Sequence, residues 1–204
     1  MDIPKHIQEA VQSDNRPTGD RERDRFRKPA EVLTFFQIEA GDKVGELNAG
    51  RGYVSGIVAA AVGTDGLVYA HISPLSVERW KGDPIKKRLK QFPQNNIHSV
   101  VGKMESPNFP IVLDKILIIM TYHDSVWTKV NRDQMNQSVF DALSSGGIYG
   151  ILDHHAQTGR GIDDCHSIHR IEKDYVVDEV LKAGFILEDE SDLLENPDDN
   201  LTDM

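Results

Sequence analysis

The stretch KVGELNAGRGY, residues 43–53, constrains the fold of this chain more than any other. A short apolar strand with Val44 and Leu47 carries one acid, Glu46, and runs into the small turn Asn48-Ala49-Gly50-Arg51-Gly52. YVSGIVAAAV (53–62) follows directly and reads as a helix. Strand, tight turn and helix in this order let a nucleotide-like ligand touch backbone N–H groups at a helix N-terminus.

The rest of the chain keeps alternating between the two periods. Residues 1–12 have the spacing of a short helix (Ile7, Ala10, Val11), and KPAEVLTFFQI continues as a second one, with Pro29 in its first turn. Between them, residues 13–28 alternate in charge, which predicts a solvated arm or exposed helix with Phe26 as its one large apolar anchor. Strands are expected at 43–48, 67–72 (LVYAHI), 96–103 and 113–124, the last a continuous apolar run suited to a centre covered on both faces. Ser73-Pro74 starts a helix that Lys81-Gly82-Asp83-Pro84 interrupts, and Asn131 with Gln134 opens another. Gly146-Gly147 turns the chain into a fifth strand, IYGILDHH (148–155). After the loop AQTGRGIDDCHSIHR comes the helix DYVVDEVLKAG and a sixth strand, FILEDES (185–191). Strands alternating with helices give the fold class: α/β, a Rossmann-like parallel sheet with helices on both faces. The expected division is an arm over 1–28, one domain over 29–191 and an acidic tail over 192–204.

Charge bounds the partners. The formal net charge is −10, and residues 188–204 hold eight acids and no Lys or Arg. That balance argues against nucleic acid, whose phosphates need basic surface. No apolar run approaches the roughly 18–20 residues of a membrane-spanning helix, and the polar N-terminus lacks an apolar signal core. No membrane partner and a cytoplasmic location are therefore expected. A single cysteine, Cys165, excludes an internal disulfide and is expected to be inert.

Two nucleotide ligands use a turn of this kind. Gly50, Gly52 and Gly56 give G-x-G-x-x-x-G, a spacing found in some NADP enzymes, but no Tyr-x-x-x-Lys pair accompanies it: Tyr149 is followed by Asp153. A site for S-adenosylmethionine (SAM) needs a carboxylate low in the first strand and small residues beside the ligand, and Glu46 suits it better. VGELNAGRGY resembles the first motif of class I SAM-dependent methyltransferases. RDRFRKPAEVLTFFQIEAGDKV, TYHD, GGIYGILDHH, CHSIHRI, KAGF and ESDLLENPDD resemble, in the same order, the blocks of a little-characterised bacterial subfamily of these enzymes, over about residues 24–199.

The resemblance implies a class I methyltransferase-like fold, SAM as cofactor, and methyl transfer to an unidentified small-molecule or protein acceptor, the small molecule favoured. It implies a cofactor site drawn from Glu46, Asn48, Ala49, Gly50, Gly52, Tyr53, His71, Ser73, Glu105 and Tyr122. Three departures stand out. Asn48 replaces a glycine, His71 stands where an acid for the ribose hydroxyls is usual, and no apolar run remains for a seventh, antiparallel strand. They keep open a second reading, a binding protein that retains the fold and has lost SAM. They also suggest a sheet edge that a second copy of the chain completes.

Ligands of open α/β sheets lie beyond the C-terminal strand ends. Three groups fall there: Met104-Glu105, Tyr122-His123-Asp124 and Asp153-His154-His155. His123 is the candidate base or acceptor ligand, with Asp124 as its orienting partner. Five of the eight histidines lie between 123 and 169 (His123, His154, His155, His166, His169), near Asp153, Asp163, Asp164 and Cys165. These are metal-donor types. No zinc motif with fixed flanks is present, so the expectation is a polar loop lining the acceptor pocket, without a metal. Asp24 and Arg27, which match the opening segment of the subfamily, are candidates to tie the arm over the cofactor pocket, or else form an ordinary surface ion pair.

Overall fold

The computed structural model describes residues 1–203. In chain order the elements are α1 (Lys5–Gln12), α2 (Thr18–Arg21), α3 (Asp24–Arg27), α4 (Pro29–Phe35), β1 (Lys43–Glu46) and α5 (Tyr53–Val62). Then follow β2 (Leu67–Ile72), α6 (Pro74–Arg79), α7 (Pro84–Gln91), β3 (Ile97–Val101) and β4 (Leu113–Ile119). The chain continues with α8 (Asp124–Trp127), α9 (Arg132–Ala142), β5 (Leu143–Leu152) and α10 (Lys173–Lys182).

The strands form one parallel sheet in the order β3-β2-β1-β4-β5. β1 is central: Val44 pairs with Val68 on one side and Lys115 on the other. The order reverses between β1 and β4, so a crevice opens beyond their C-terminal ends, directly above Glu46. β4 shows why its sequence is apolar throughout. Ile116 and Ile118 belong to the core under α9 and α10, Leu117 to the core under α1, α4 and α5, and all three are fully buried. Each such side chain contributes roughly 1.5–3 kcal/mol relative to exposure.

The caps expected at Ser73 and Asn131 form, and Asp83 adds one that was not expected. Ser73 Oγ accepts from the Ser76 N–H at 3.1 Å, Asp83 Oδ1 from Lys86 N–H at 3.0 Å, and Asn131 Oδ1 from Gln134 N–H at 3.0 Å. Each satisfies an otherwise orphaned N–H at a helix start.

Three expectations change. Residues 13–28 form short, mostly exposed helices, but Phe26 is no apolar anchor, being 69% exposed, and the buried residue there is Arg16, 5% exposed. Gly146-Gly147 does not turn the chain into β5 but lies inside it. The register jumps from Leu113↔Leu143 to Lys115↔Ile148, so the glycines make an irregularity in a strand that starts five residues earlier than expected. FILEDES forms no strand. Phe185 packs on Tyr149 and Phe140, then the chain leaves the sheet with Ile186 84% exposed, and Leu193 and Leu194 join the opposite core. FILEDES has one short apolar run, Phe185-Ile186-Leu187, followed by four polar residues, and its backbone finds no partner strand. No helix among the described residues is long and apolar enough to cross a membrane.

Candidate active site

The turn after β1 folds as a glycine-type turn despite Asn48. Asn48 takes the left-handed conformation at φ 56°, as do Gly50 at 60° and Gly52 at 78°. Asparagine is among the few L residues that enter this region readily, because its short amide bonds locally. Space on the side-chain position of Gly50 is open, with no atom within 4 Å of where a Cβ would stand. The first-turn N–H groups of α5, unpartnered within the helix, lie just beyond. Glu46 sits beneath, buried, accepting a hydrogen bond from the Ser55 hydroxyl. Burial raises its pKa to about 7, against the opposing effects of the Ser55 bonds and of the Arg88 and Arg27 charges.

The arm closes over the same turn. Arg16 makes a bidentate pair with Asp24, both bonds 2.7 Å, and Asp24 Oδ1 also accepts from the Tyr53 hydroxyl at 2.7 Å. Arg16, Arg23 and Arg27 place guanidiniums 5.0–5.8 Å from the Tyr53 ring centre. Burial and the Asp24 bond together push the Tyr53 phenol well above its usual range. Arg88 reaches Asp20 at 2.7 Å across α5, in space that a side chain at Gly56 would occupy. Asp24 thus ties the arm to the first residue of α5. Arg27 instead faces a small apolar recess with Pro29, Val32, Tyr53, Met120 and Leu152.

The remaining cofactor candidates are committed to protein contacts. His71 is fully buried (0% exposed); its Nδ1 accepts from the Asn48 N–H at 3.3 Å and its Nε2 bonds the Gly102 carbonyl at 2.9 Å. Burial lowers its pKa to about 4, so it is neutral at pH 7. Ser73 caps α6. Glu105 Oε1 accepts from the Asn131 N–H at 3.2 Å. Tyr122 is fully buried; it donates to Glu179 at 3.1 Å and accepts from Asn136 at 2.8 Å, facing α9 and α10.

On the β4–β5 side, His123 and Asp124 come together as expected, with Asp153 as an additional partner. The Asp153 carboxylate accepts from both the His123 N–H (2.8 Å) and the His123 Nδ1 (2.7 Å). His123 Nε2 lies 3.2 Å from Asp124 Oδ1 and 3.2 Å from His169 Nδ1. Burial alone lowers the His123 pKa, but the bonds and charges of Asp124 and Asp153 outweigh it and raise the value to about 9. His154 stands beside this group, its ring 6.3 Å from that of His123, whereas His155 turns to accept from the Lys173 N–H. Cys165 is fully buried and its thiol is pushed up to about 12, chiefly by that burial.

No family model and no curated protein sequence matches the chain. Solved structures do. A SAM dependent methyltransferase from Aquifex aeolicus is similar over 85% of this chain and 86% of its own, with a TM-score of 0.65 at 16% identity. The glycopeptide N-methyltransferase MtfA, solved with SAM, is similar over 76% of both chains (TM-score 0.56, 17% identity). A precorrin-6y C5,15-methyltransferase from Geobacter metallireducens is similar over 79% of this chain and 73% of its own (TM-score 0.55, 16% identity). The chain has the class I methyltransferase fold. Within that fold the β1–α5 turn and the β4 and β5 ends lie at the C-terminal end of the same sheet. Sequence reasoning found the turn, Glu46, His123 and Asp124 there. It named Asp153 and His169 without pairing them with His123, because that pairing depends on the 153–171 loop.

Proposed function

We propose that this chain is a SAM-dependent methyltransferase acting on a small-molecule acceptor. The observation that carries the reading is the β1–α5 turn: left-handed at Asn48, Gly50 and Gly52, open above Gly50, with a buried acid behind it. Glu46 and Arg27 lie within electrostatic reach of each other beside this turn. An acid and a guanidinium so placed suit a zwitterionic amino-acid head, the carboxylate toward Arg27 and the ammonium toward Glu46. The turn residues Asn48, Ala49, Gly50 and Gly52, with Tyr53 above them, would hold the rest of that moiety. When bound, SAM supplies an electrophilic methyl group; the protein's part is to position the acceptor in line with it. His123, its ring fixed by Asp153, is the acceptor-side anchor, with Asp124 beside it.

A second reading, a binding protein of the same fold, is favoured by His71. Its buried ring fills the end of β2, and both its nitrogens are used by the protein. Calorimetric titration of the full chain with SAM and with its demethylated product separates the two. The methyltransferase reading predicts one saturable site for each ligand, weakened about tenfold or more in Glu46→Gln, because a hydrogen bond to a charged group contributes roughly 1.5–3 kcal/mol. Absence of heat with a folded parent supports the second reading.

A further inference from the structure

We propose that His123, Asp124 and His169 form a site for a first-row divalent metal ion such as Zn2+. Asp153 sets the protonation of the His123 ring. Its carboxylate can only accept, so His123 Nδ1, 2.7 Å away, carries the proton. In the neutral ring this leaves the lone pair on Nε2. That lone pair faces a carboxylate oxygen, Asp124 Oδ1, at 3.2 Å, and a second imidazole nitrogen, His169 Nδ1, at 3.2 Å. Asp124 Oδ1 and His169 Nδ1 are themselves 3.9 Å apart. A proton on Nε2 can point at only one of the other two atoms at a time, whereas a cation at their centre contacts all three.

The spacing fits. Bonds of about 2.0–2.1 Å in a tetrahedral site set ligand atoms about 3.3–3.4 Å apart. Two of the three separations are 3.2 Å, and the longer one involves His169, whose side chain is 41% exposed and has room to move inward. Two imidazoles and one carboxylate suit Zn2+, Fe2+ or Mn2+. Asp153 stands as the outer partner that commonly orients a metal-bound histidine through its other nitrogen.

Local hydrogen bonds hold two of the ligands in place. His169 is left-handed at φ 56°, a conformation uncommon for a residue other than glycine. It is kept there by Ile168 and Arg170, whose N–H groups both reach the Asp164 carbonyl, at 3.1 and 3.4 Å. Asp124 is fixed by the Trp127 indole N–H, which donates to Oδ1 at 2.9 Å. Three protein ligands leave a fourth position open, the arrangement of a catalytic rather than a structural ion. Binding replaces any proton on His123 Nε2, which leaves to solvent, and the open position takes an oxygen donor such as water or an acceptor hydroxyl.

The test uses the full chain, stripped of metal by chelation, titrated with Co2+ in the absence of SAM, so its outcome is independent of the methyltransferase reading. Visible d–d absorption reports the coordination, and Zn2+ is then added in competition. The expected result is one equivalent of Co2+, displaced by Zn2+. His169→Ala and Asp124→Asn should weaken binding about tenfold or more, and Asp153→Asn, which spares all three ligands, by about ten- to a hundredfold. His169 is a surface residue, so its variant keeps the fold even where His123→Ala does not; circular dichroism checks both. His166→Ala, an exposed histidine of the same loop, should leave binding unchanged. No saturable Co2+ or Zn2+ binding by the parent overturns the proposal. So does binding that survives His169→Ala and Asp124→Asn, or binding that His166→Ala abolishes.

Discussion

Glu46 and His71 are two buried titratable groups beside one turn, shifted in opposite senses. Glu46 has a folded pKa of about 7, above the usual carboxylate value, because of burial. A cation placed against it favours the carboxylate. SAM affinity should therefore rise as pH increases through about 7 and fall below it, and Glu46→Gln should flatten that dependence in a pH series of titrations. His71 has a folded pKa of about 4, depressed by burial despite its bond to the Gly102 carbonyl. Between that value and the ordinary 6.5, the folded state binds fewer protons than the unfolded one. Its contribution to stability is thus complete above pH 6.5 and lost as pH falls toward 4. His71→Ala should cost about 2–4 kcal/mol at pH 7, since it opens a cavity and strips partners from Asn48 N–H and Gly102 C=O. It should also flatten the acid limb of stability measured by urea unfolding. Glu46 was legible in the sequence because an acid in an apolar strand is conspicuous. The role of His71 was not, because a histidine near a strand end reads equally as a ligand or as a buried link between loops.

At the scale of elements, the charged arm is mostly exposed but carries ion pairs that its charge pattern does not reveal. Alternating signs in SDNRPTGDRERDRFRK read as solvated, because local pattern does not record partners eight or more residues away. In the structure, Arg16 meets Asp24, Asp24 meets Tyr53, and Asp20 meets Arg88. Asp24→Ala leaves the buried Arg16 guanidinium unpaired, and should destabilise the chain by about 2–4 kcal/mol. Asp14, fully exposed in its pair with Arg21, is the internal contrast: Asp14→Ala should shift stability by less than about 0.5 kcal/mol. Thermal unfolding of the two variants measures the difference. A second network was equally hidden. Arg132 grips Glu179 through both Nε and Nη2, and Glu179 in turn receives Tyr122. Glu179→Leu strands Arg132 and the buried Tyr122 hydroxyl together, and should cost about 3–5 kcal/mol by chemical denaturation. The helix caps at Ser73 and Asn131, by contrast, were readable, since each acts within three residues of itself.

For the whole molecule, alternation of strand and helix was enough to specify the parallel sheet and to put the β1–α5 turn at its centre. It could not specify where the sheet stops. FILEDES follows a helix as a strand would but has no partner strand, and pairing is a property of two segments rather than one. Nor could it assemble the His123 group, whose members come from the start of α8, the end of β5 and a loop turn at residue 169. The fold brings this group and the Glu46 turn to the C-terminal end of the same sheet, the turn proposed here for the methyl donor and the group for its acceptor. The most direct measurement is a crystal structure of the full chain grown with the demethylated product of SAM at saturating concentration. The account predicts ligand density over Gly50, its amino-acid head between Glu46 and Arg27. Density lodged elsewhere, or a bare turn in the presence of saturating ligand, would contradict it.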